Sequence, residues 1–166
     1  YVYGGQVCFQ ATDVLPGTVG GQYGWGKVCE GKVNFDDDVC ENAYGWWKIT
    51  TGKVDFQYTG LAQNACGWWM IQNGHVNFGS NGLVDNGNGW WLVKNGCVDF
   101  NYNGLVDNGN GWWLIRNGYV DFSYNGLVDN GNGWWLVKNG CVDFSYQGYV
   151  QNECGIWWVS NGQVQF

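Results

Sequence analysis

Thirteen tryptophans, ten tyrosines and eight phenylalanines stand in a chain of 166 residues that holds one histidine. Such an inventory points away from proton transfer and toward flat, polarisable surfaces. Indole rings stack on the C–H faces of sugars, and the indole quadrupole is the best side-chain partner for a cation. The tryptophans come as adjacent pairs. Trp46-Trp47, Trp68-Trp69, Trp90-Trp91, Trp112-Trp113 and Trp134-Trp135 recur every 22 residues, and Trp157-Trp158 follows after 23, with Ile156 reading as an insertion. The first member of each pair, Trp46, Trp68, Trp90, Trp112, Trp134 and Trp157, is the candidate ligand platform. Asp55, Asp99, Asp121 and Asp143 share the strand position opposite the residue two after that tryptophan, which sets a carboxylate beside the platform to bond hydroxyls. The alternative is purely structural, with both tryptophans buried, one in its own hairpin and one against the next.

Other chemistry lacks its parts. There is no second histidine, no nucleophile motif and no carboxylate pair set apart from the repeat, so the chain reads as non-catalytic. DNGNG, at 85–89, 107–111 and 129–133, has a faint likeness to a calcium loop. Gly87, Gly109 and Gly131, however, fall where an oxygen ligand is required, and the segment reads as a tight turn. His75 occupies a slot held elsewhere by Cys97, Tyr119 and Cys141, so no repeated chemistry depends on it. Seven cysteines without a CxxC pair fit disulfides in an oxidising compartment rather than zinc. No metal and no cofactor are expected.

The elements that position these residues follow from the repeat. Asn-Gly between two β-prone runs supplies the two positive-φ residues of a type I′ hairpin turn. In the unit at 89, Trp90 to Lys94 forms one strand, Asn95-Gly96 the turn and Cys97 to Tyr102 the return. Leu105-Val106 makes a short third strand, and DNGNG links to the next unit. The two-residue turn pairs Val93 with Val98 and Trp91 with Phe100 on one face, and Leu92 with Asp99 and Trp90 with Asn101 on the other. The second tryptophan of each pair therefore reads as core. Degenerate copies at 24–35 and 1–9 bring the total to eight units. A lone hairpin is marginal in water, so the units must stack on one another. The expected fold is all-β, a solenoid of eight stacked β-hairpin repeats in one domain, with 1–45 an irregular, disulfide-stapled cap and 46–166 the regular repeats.

Cys97 and Cys141 share a slot two units apart, and Cys66 and Cys154 share another four units apart, too far for bridges under the ~7 Å Cα limit. Cys8, Cys29 and Cys40 lie in the irregular first quarter, where a Cys29–Cys40 or Cys8–Cys29 bridge would staple the cap. An odd total leaves at least one thiol for solvent or a partner chain. The net charge of −7 repels phosphate, which disfavours nucleic acid. Gly, Asn and Asp interrupt every apolar run, so no membrane-spanning helix is expected. The chain begins at Tyr1, which suggests a processed protein or a segment of a larger one, secreted or held at the cell surface.

The pattern GWWxxxNGxVDFxYxGLVxN resembles the aromatic, glycine-rich tandem repeats of Gram-positive secreted and surface proteins, and is similar to choline-binding and glucan-binding cell-wall repeats. The resemblance runs from about residue 24 to 166 and implies stacked hairpins in a β-solenoid. In choline-binding repeats, aromatics of neighbouring hairpins form cages for a quaternary ammonium, which nominates the same six tryptophans. The Trp doublet, the VDF strand and the 22-residue period depart from that family's usual pattern. The reading at this level is a non-catalytic extracellular module that binds cell-wall or host glycans through several weak sites. The second reading is a structural or adhesive surface protein that binds itself or another protein.

Overall fold

The computed structural model describes residues 1–166 and contains strands and turns but no helix. Two compact units divide the chain, Tyr1–Asn81 with Val93–Val98, and Gly82–Leu92 with Asp99–Phe166. Each is a stack of the same antiparallel repeat, so the fold class is the expected hairpin solenoid. The interleaved division has a simple cause: the hairpin tip at 93–98 packs on the repeat before it, and Met70 N–H donates to Gly96 O at 2.7 Å.

One repeat is a three-strand meander. Gly104–Asp107 pairs with Trp112–Arg116, setting Leu105 opposite Leu114 and Val106 opposite Trp113. Trp112–Arg116 then turns back into the two-residue strand Tyr119–Val120, with Ile115 opposite Val120. The turn residues Asn117 and Gly118 have φ of 50° and 77°, the type I′ conformation that Asn-Gly tolerates. The same pair of positive-φ residues recurs at 73–74, 95–96, 139–140 and 161–162. One detail differs from expectation. The GLV strand pairs forward, across DNGNG, with the next tryptophan strand, so DNGNG closes the longer hairpin of the repeat rather than linking two separate ones.

Repeats are joined through the tip glycine. Gly118 O accepts from Leu92 N–H at 2.8 Å, and Gly118 N–H donates to Tyr102 O at 3.0 Å, so the turn plugs into the backbone of the preceding repeat. A single strand bridge supports each junction: Trp91 opposite Tyr119 and Trp113 opposite Cys141 in one unit, Trp47 opposite His75 in the other.

The hydrophobic core is a series of small clusters at these junctions. Leu114 of one repeat packs with Val137 and Val142 of the next, flanked by Leu105, Trp112, Tyr124, Val128 and Trp135. Leu92 does the same with Ile115 and Val120, and Val39 with Ile71 and Val76 in the other unit. Each such side chain contributes about 1.5–3 kcal/mol when buried. Alternation alone assigned Leu92 to the side away from the core, yet Leu92 and Val93 are both buried. The reason is stacking: a middle hairpin has a neighbour on each face. Phe100, assigned to the core with Val93, is exposed because the chain leaves the strand after Val98.

All seven cysteines are free thiols, so the bridges expected at Cys29–Cys40 or Cys8–Cys29 are not formed. Cys40 Sγ lies 3.3 Å from the Asp38 carboxylate, and Cys8 Sγ points to Gln6 O. The first quarter is held by ordinary pairing instead. Asp13–Val19 and Gln22–Cys29 form a long hairpin through Gly20-Gly21, and the N-terminal ammonium of Tyr1 bonds to Gly31 O.

Candidate functional site

The junctions that hold the core also bring aromatic rings together. In the second unit Trp90, Trp113 and Phe122 meet, with centroids 5.4, 6.1 and 5.6 Å apart and planes inclined at 49°, 86° and 70°. One repeat on, Trp112, Trp135 and Phe144 repeat the arrangement at 4.9, 5.7 and 5.7 Å. Trp46, Trp69 and Phe78 form it in the first unit at 5.1, 6.4 and 5.9 Å. Each group is a corner of three mutually inclined rings. The first tryptophan of one repeat supplies one wall, and the second tryptophan and the VDF or VNF phenylalanine of the next supply the others. The tryptophans are half-buried and the phenylalanines exposed, so the corners are reachable from solvent.

Trp134 and Trp157 line the last junction with Phe166, around a pocket of about 260 Å³ floored by Leu127 and Val164 and rimmed by Asn152 and Cys154. The register here changes one reading of the sequence. Val150 pairs with Trp157 as Val128 pairs with Trp135, so Trp157 stands in the second-tryptophan slot. Ile156 fills the first slot and Trp158 the place of Leu136, and the 22-residue period is kept without an insertion.

In four repeats the second tryptophan is fixed by an asparagine five residues before it. Asn64 Oδ1 accepts from Trp69 Nε1 and from Cys66 N–H, both at 2.9 Å, while its Nδ2 donates to Val39 O at 2.8 Å. Asn42 binds Trp47 at 2.9 Å, Asn108 binds Trp113 at 3.2 Å, and Asn152 binds Trp157 at 2.9 Å. These asparagines set the ring orientation of Trp69 and Trp113 in their corners, whereas in the 112/135/144 corner the buried Trp135 Nε1 has no hydrogen-bond partner. Sequence reading took DNGNG for a turn and missed this role, although the spacing of asparagine to second tryptophan is constant in six copies.

The aspartates named from sequence serve the turn after the VDF strand. Asp121 Oδ1 accepts from Ser123 N–H at 3.1 Å and Ser123 Oγ–H at 2.6 Å, and Asp143 binds Ser145 in the same way. Asp55 and Asp99 accept from Gln57 and Asn101 N–H, each at 3.1 Å. The serine hydroxyl bond is the main reason that the Asp121 carboxyl is held below its ordinary pKa, with Arg116 adding to it. For Asp143 the serine bond is again first and Lys138 second. Arg116 and Lys138 reach these carboxylates at 3.3 and 2.9 Å and lie over Tyr124 and Tyr146 at 4.5 and 4.3 Å from the ring centroids. These two cations thus sit on tyrosine rings, away from the tryptophan corners.

A different polar group lies in the first unit. Lys27 Nζ binds Asp38 at 2.7 Å beside Cys40. Burial and the Asp38 charge push the Cys40 thiol up to about 12. Burial works against charge on Asp38 too and is the largest single influence, but the hydrogen bonds from Lys27, Val39 N–H and Cys40, together with the Lys27 charge, outweigh it and keep that carboxyl below its usual range. At neutral pH that shift keeps the Cys40 thiol protonated.

Fold and site together define a repeat module whose recurring feature is an aromatic corner at the junctions between repeats. The choline-binding repeat matches four times in succession, over residues 57–77, 79–99, 101–121 and 123–143. These copies cover 84 of the 166 residues, and the chain belongs to the choline-binding repeat family. Repeats of this family are binding modules of surface and cell-wall-associated proteins. Curated proteins give no significant match. Similar solved structures include CbpJ from Streptococcus pneumoniae, 16% identical with a TM-score of 0.38 over 87% of this chain and 50% of that one. Choline binding protein F from the same organism is 19% identical, with a TM-score of 0.38 over 90% of this chain and 48% of that one. A structure of CbpF in complex with ipratropium is 20% identical, with a TM-score of 0.36 over 84% and 43%. The chain spans about half the length of these proteins or less. No helix is long and apolar enough to cross a membrane.

Proposed function

We propose that the junction corners each hold a trimethylammonium group, and that the chain attaches by several of them to a cell-wall polymer bearing choline. The observation that supports this reading is the three-ring corner itself, built in the same way at 90/113/122, 112/135/144 and 46/69/78. A quaternary ammonium has no N–H to donate, so carboxylate hydrogen bonds gain nothing on it. Inclined π-faces attract it by ~0.5–2 kcal/mol per ring, more as water is excluded. One corner is weak, and several on one polymer multiply their effect through effective concentration. Such a protein works outside the cell or at its surface. The net charge of −7 favours a cationic ligand over an anionic one. Sugar hydroxyls bound by Asp55, Asp99, Asp121 and Asp143 play no part in the proposal, because those carboxylates are engaged in their turns.

The test is calorimetric titration of the full chain with choline and with 3,3-dimethylbutanol, which has the same shape but no charge. Choline should bind with several equivalents, Trp112→Ala should remove about one of them, and the neutral analogue should bind at least about tenfold more weakly. Equal binding of the two would show that the corners are hydrophobic slots and would end the ammonium reading.

A further inference from the structure

The first tryptophan of each corner in the second unit has a carboxylate beside it that is not one of the turn aspartates discussed above. Asp107 is the register partner of Trp112, and Asp129 is that of Trp134. Directly opposed residues of an antiparallel pair project to the same side, with Cβ atoms ~5 Å apart. Asp107 therefore shares a face with Trp112, Leu105 and Leu114, the face that packs on Val128 and Trp135 of the next repeat. Asp129 shares the corresponding face with Trp134, Leu127 and Leu136. Asp85 holds the same place in the repeat that contributes Trp90. All three are exposed. Their Oδ1 atoms accept from the N–H groups of Gly87, Gly109 and Gly131 at 2.8, 2.8 and 2.9 Å, which fixes each carboxylate at the turn end of its hairpin. None of them is in an ion pair, because Arg116 and Lys138 are held by Asp121 and Asp143.

We propose that Asp85, Asp107 and Asp129 set the charge specificity of the second unit's corners. They select a trimethylammonium group carried by a net cation and reject a zwitterion whose anion lies next to the nitrogen. This inference rests on the ammonium reading of the corners and adds to it the residues that read charge. The rings supply shape and a short-range attraction, which a neutral group of the same outline shares in part. An ammonium seated on the first indole lies on the order of 7 Å from the carboxylate beside it. That is too far for a hydrogen bond, and the carboxylate acts through its charge alone. At such a distance in water the attraction raises affinity about threefold, and more where the rings exclude solvent. An anion on the ligand next to the nitrogen meets the same carboxylate as a repulsion. The other first tryptophans show the contrast. Trp46 faces Glu41, but Lys48 stands on the same face one pair along, opposite Val39, and offsets that charge. Trp68 faces the neutral Gln63. Charge selection is thus a property of the second unit, where a bare carboxylate recurs in successive repeats.

The experiment is calorimetric titration of the full chain with choline, trimethylglycine and 3,3-dimethylbutanol at low and high salt, beside the triple variant Asp85→Asn, Asp107→Asn, Asp129→Asn. Asparagine keeps the oxygen that accepts from the turn glycine, so the hairpins retain their closure. The variant should bind choline about threefold or more weakly at low salt and 3,3-dimethylbutanol as before. Its preference for choline over trimethylglycine should shrink by at least the same factor. High salt should weaken choline on the parent chain and change little on the variant. Unchanged choline affinity and an unchanged preference over trimethylglycine in the variant would overturn the inference while leaving the corners as ammonium sites. Parallel loss of choline and of the neutral analogue would overturn it too, by assigning the aspartates to the turn rather than to charge. Failure of the parent chain to bind choline at all is the separate result that ends the ammonium reading, and this inference with it.

Discussion

Replacing Gly118 by alanine tests whether the tip glycine is what joins repeats. Gly118 has φ of 77°, where an L side chain costs roughly 1–2 kcal/mol. Its added Cβ would lie 2.5 Å from Asp99 O and 2.9 Å from Phe100 Cα, backbone atoms that cannot swing aside. To reach ordinary contact the turn must retreat by close to an ångström. That movement carries the bonds from Leu92 N–H, now 2.8 Å, and to Tyr102 O, now 3.0 Å, beyond useful length. Each is worth about 1 kcal/mol, so the total loss is about 3–4 kcal/mol. Gly109 provides the control. Its φ is 84°, yet nothing lies within 4 Å of its Cβ position. Gly109→Ala should therefore cost only the conformational part, about 1–2 kcal/mol, leaving a difference of about 2 kcal/mol between the variants. Urea unfolding followed by tryptophan fluorescence and far-UV circular dichroism measures both. Equal losses, or a larger loss for Gly109→Ala, would refute the view that turn-to-backbone docking holds the stack.

Further outcomes follow from the same geometry. Asn64→Ala removes three hydrogen bonds and should cost about 2–3 kcal/mol, and it should weaken choline at the 46/69/78 corner more than elsewhere, read by calorimetric site number. With thiol reagents at pH 8, Cys29, Cys66 and Cys154 are exposed and should label quickly, while Cys40, its pKa pushed up to about 12, should label only after unfolding. A thiol whose folded pKa lies above its unfolded value stabilises the fold below the unfolded pKa and loses that contribution as pH rises through the folded one. The first unit should thus weaken between about pH 9 and 12, and Cys40→Ala should flatten that dependence. Asp121 and Asp143 have folded pKa values below the ordinary aspartate value of 3.8, so their contribution is present above that pH and lost as pH falls beneath it. Ser145→Ala should shrink the acid-dependent part of the stability measured by urea titration from pH 6 down to pH 2. Lys138→Met, at a half-exposed pair, should change stability by less than about 1 kcal/mol.

The repeat, its turns and the stacking were legible because they are local. Asn-Gly states its own φ angles, and a 22-residue period of hairpins without a self-sufficient core requires neighbours. What alternation could not reveal is which neighbour each face meets. Leu92 and Trp90 read as the side away from the core, since within one hairpin Val93 and Val98 already account for a buried face. Only stacking on the next repeat shows that Leu92 meets Ile115 and Val120. The same ambiguity hid the corners: Trp90 was legible as a platform, but Trp113 and Phe122 come from the following repeat and looked like its private core. The shift at the end was hidden by letters. A Trp-Trp doublet at 157–158 suggests the usual pair, and only the pairing of Val150 with Trp157 places Ile156 in the first slot.

Core cluster and ring corner lie on the same boundary between repeats, which makes copy number a quantity that evolution can dial. Duplicating one 22-residue segment adds a folding interface and an aromatic corner in a single event, leaving the existing ones undisturbed. Deleting one removes both together. If the corners bind as proposed, the number of repeats sets the binding valence, and grip on a polymer can be adjusted in whole steps without altering the chemistry of any single corner.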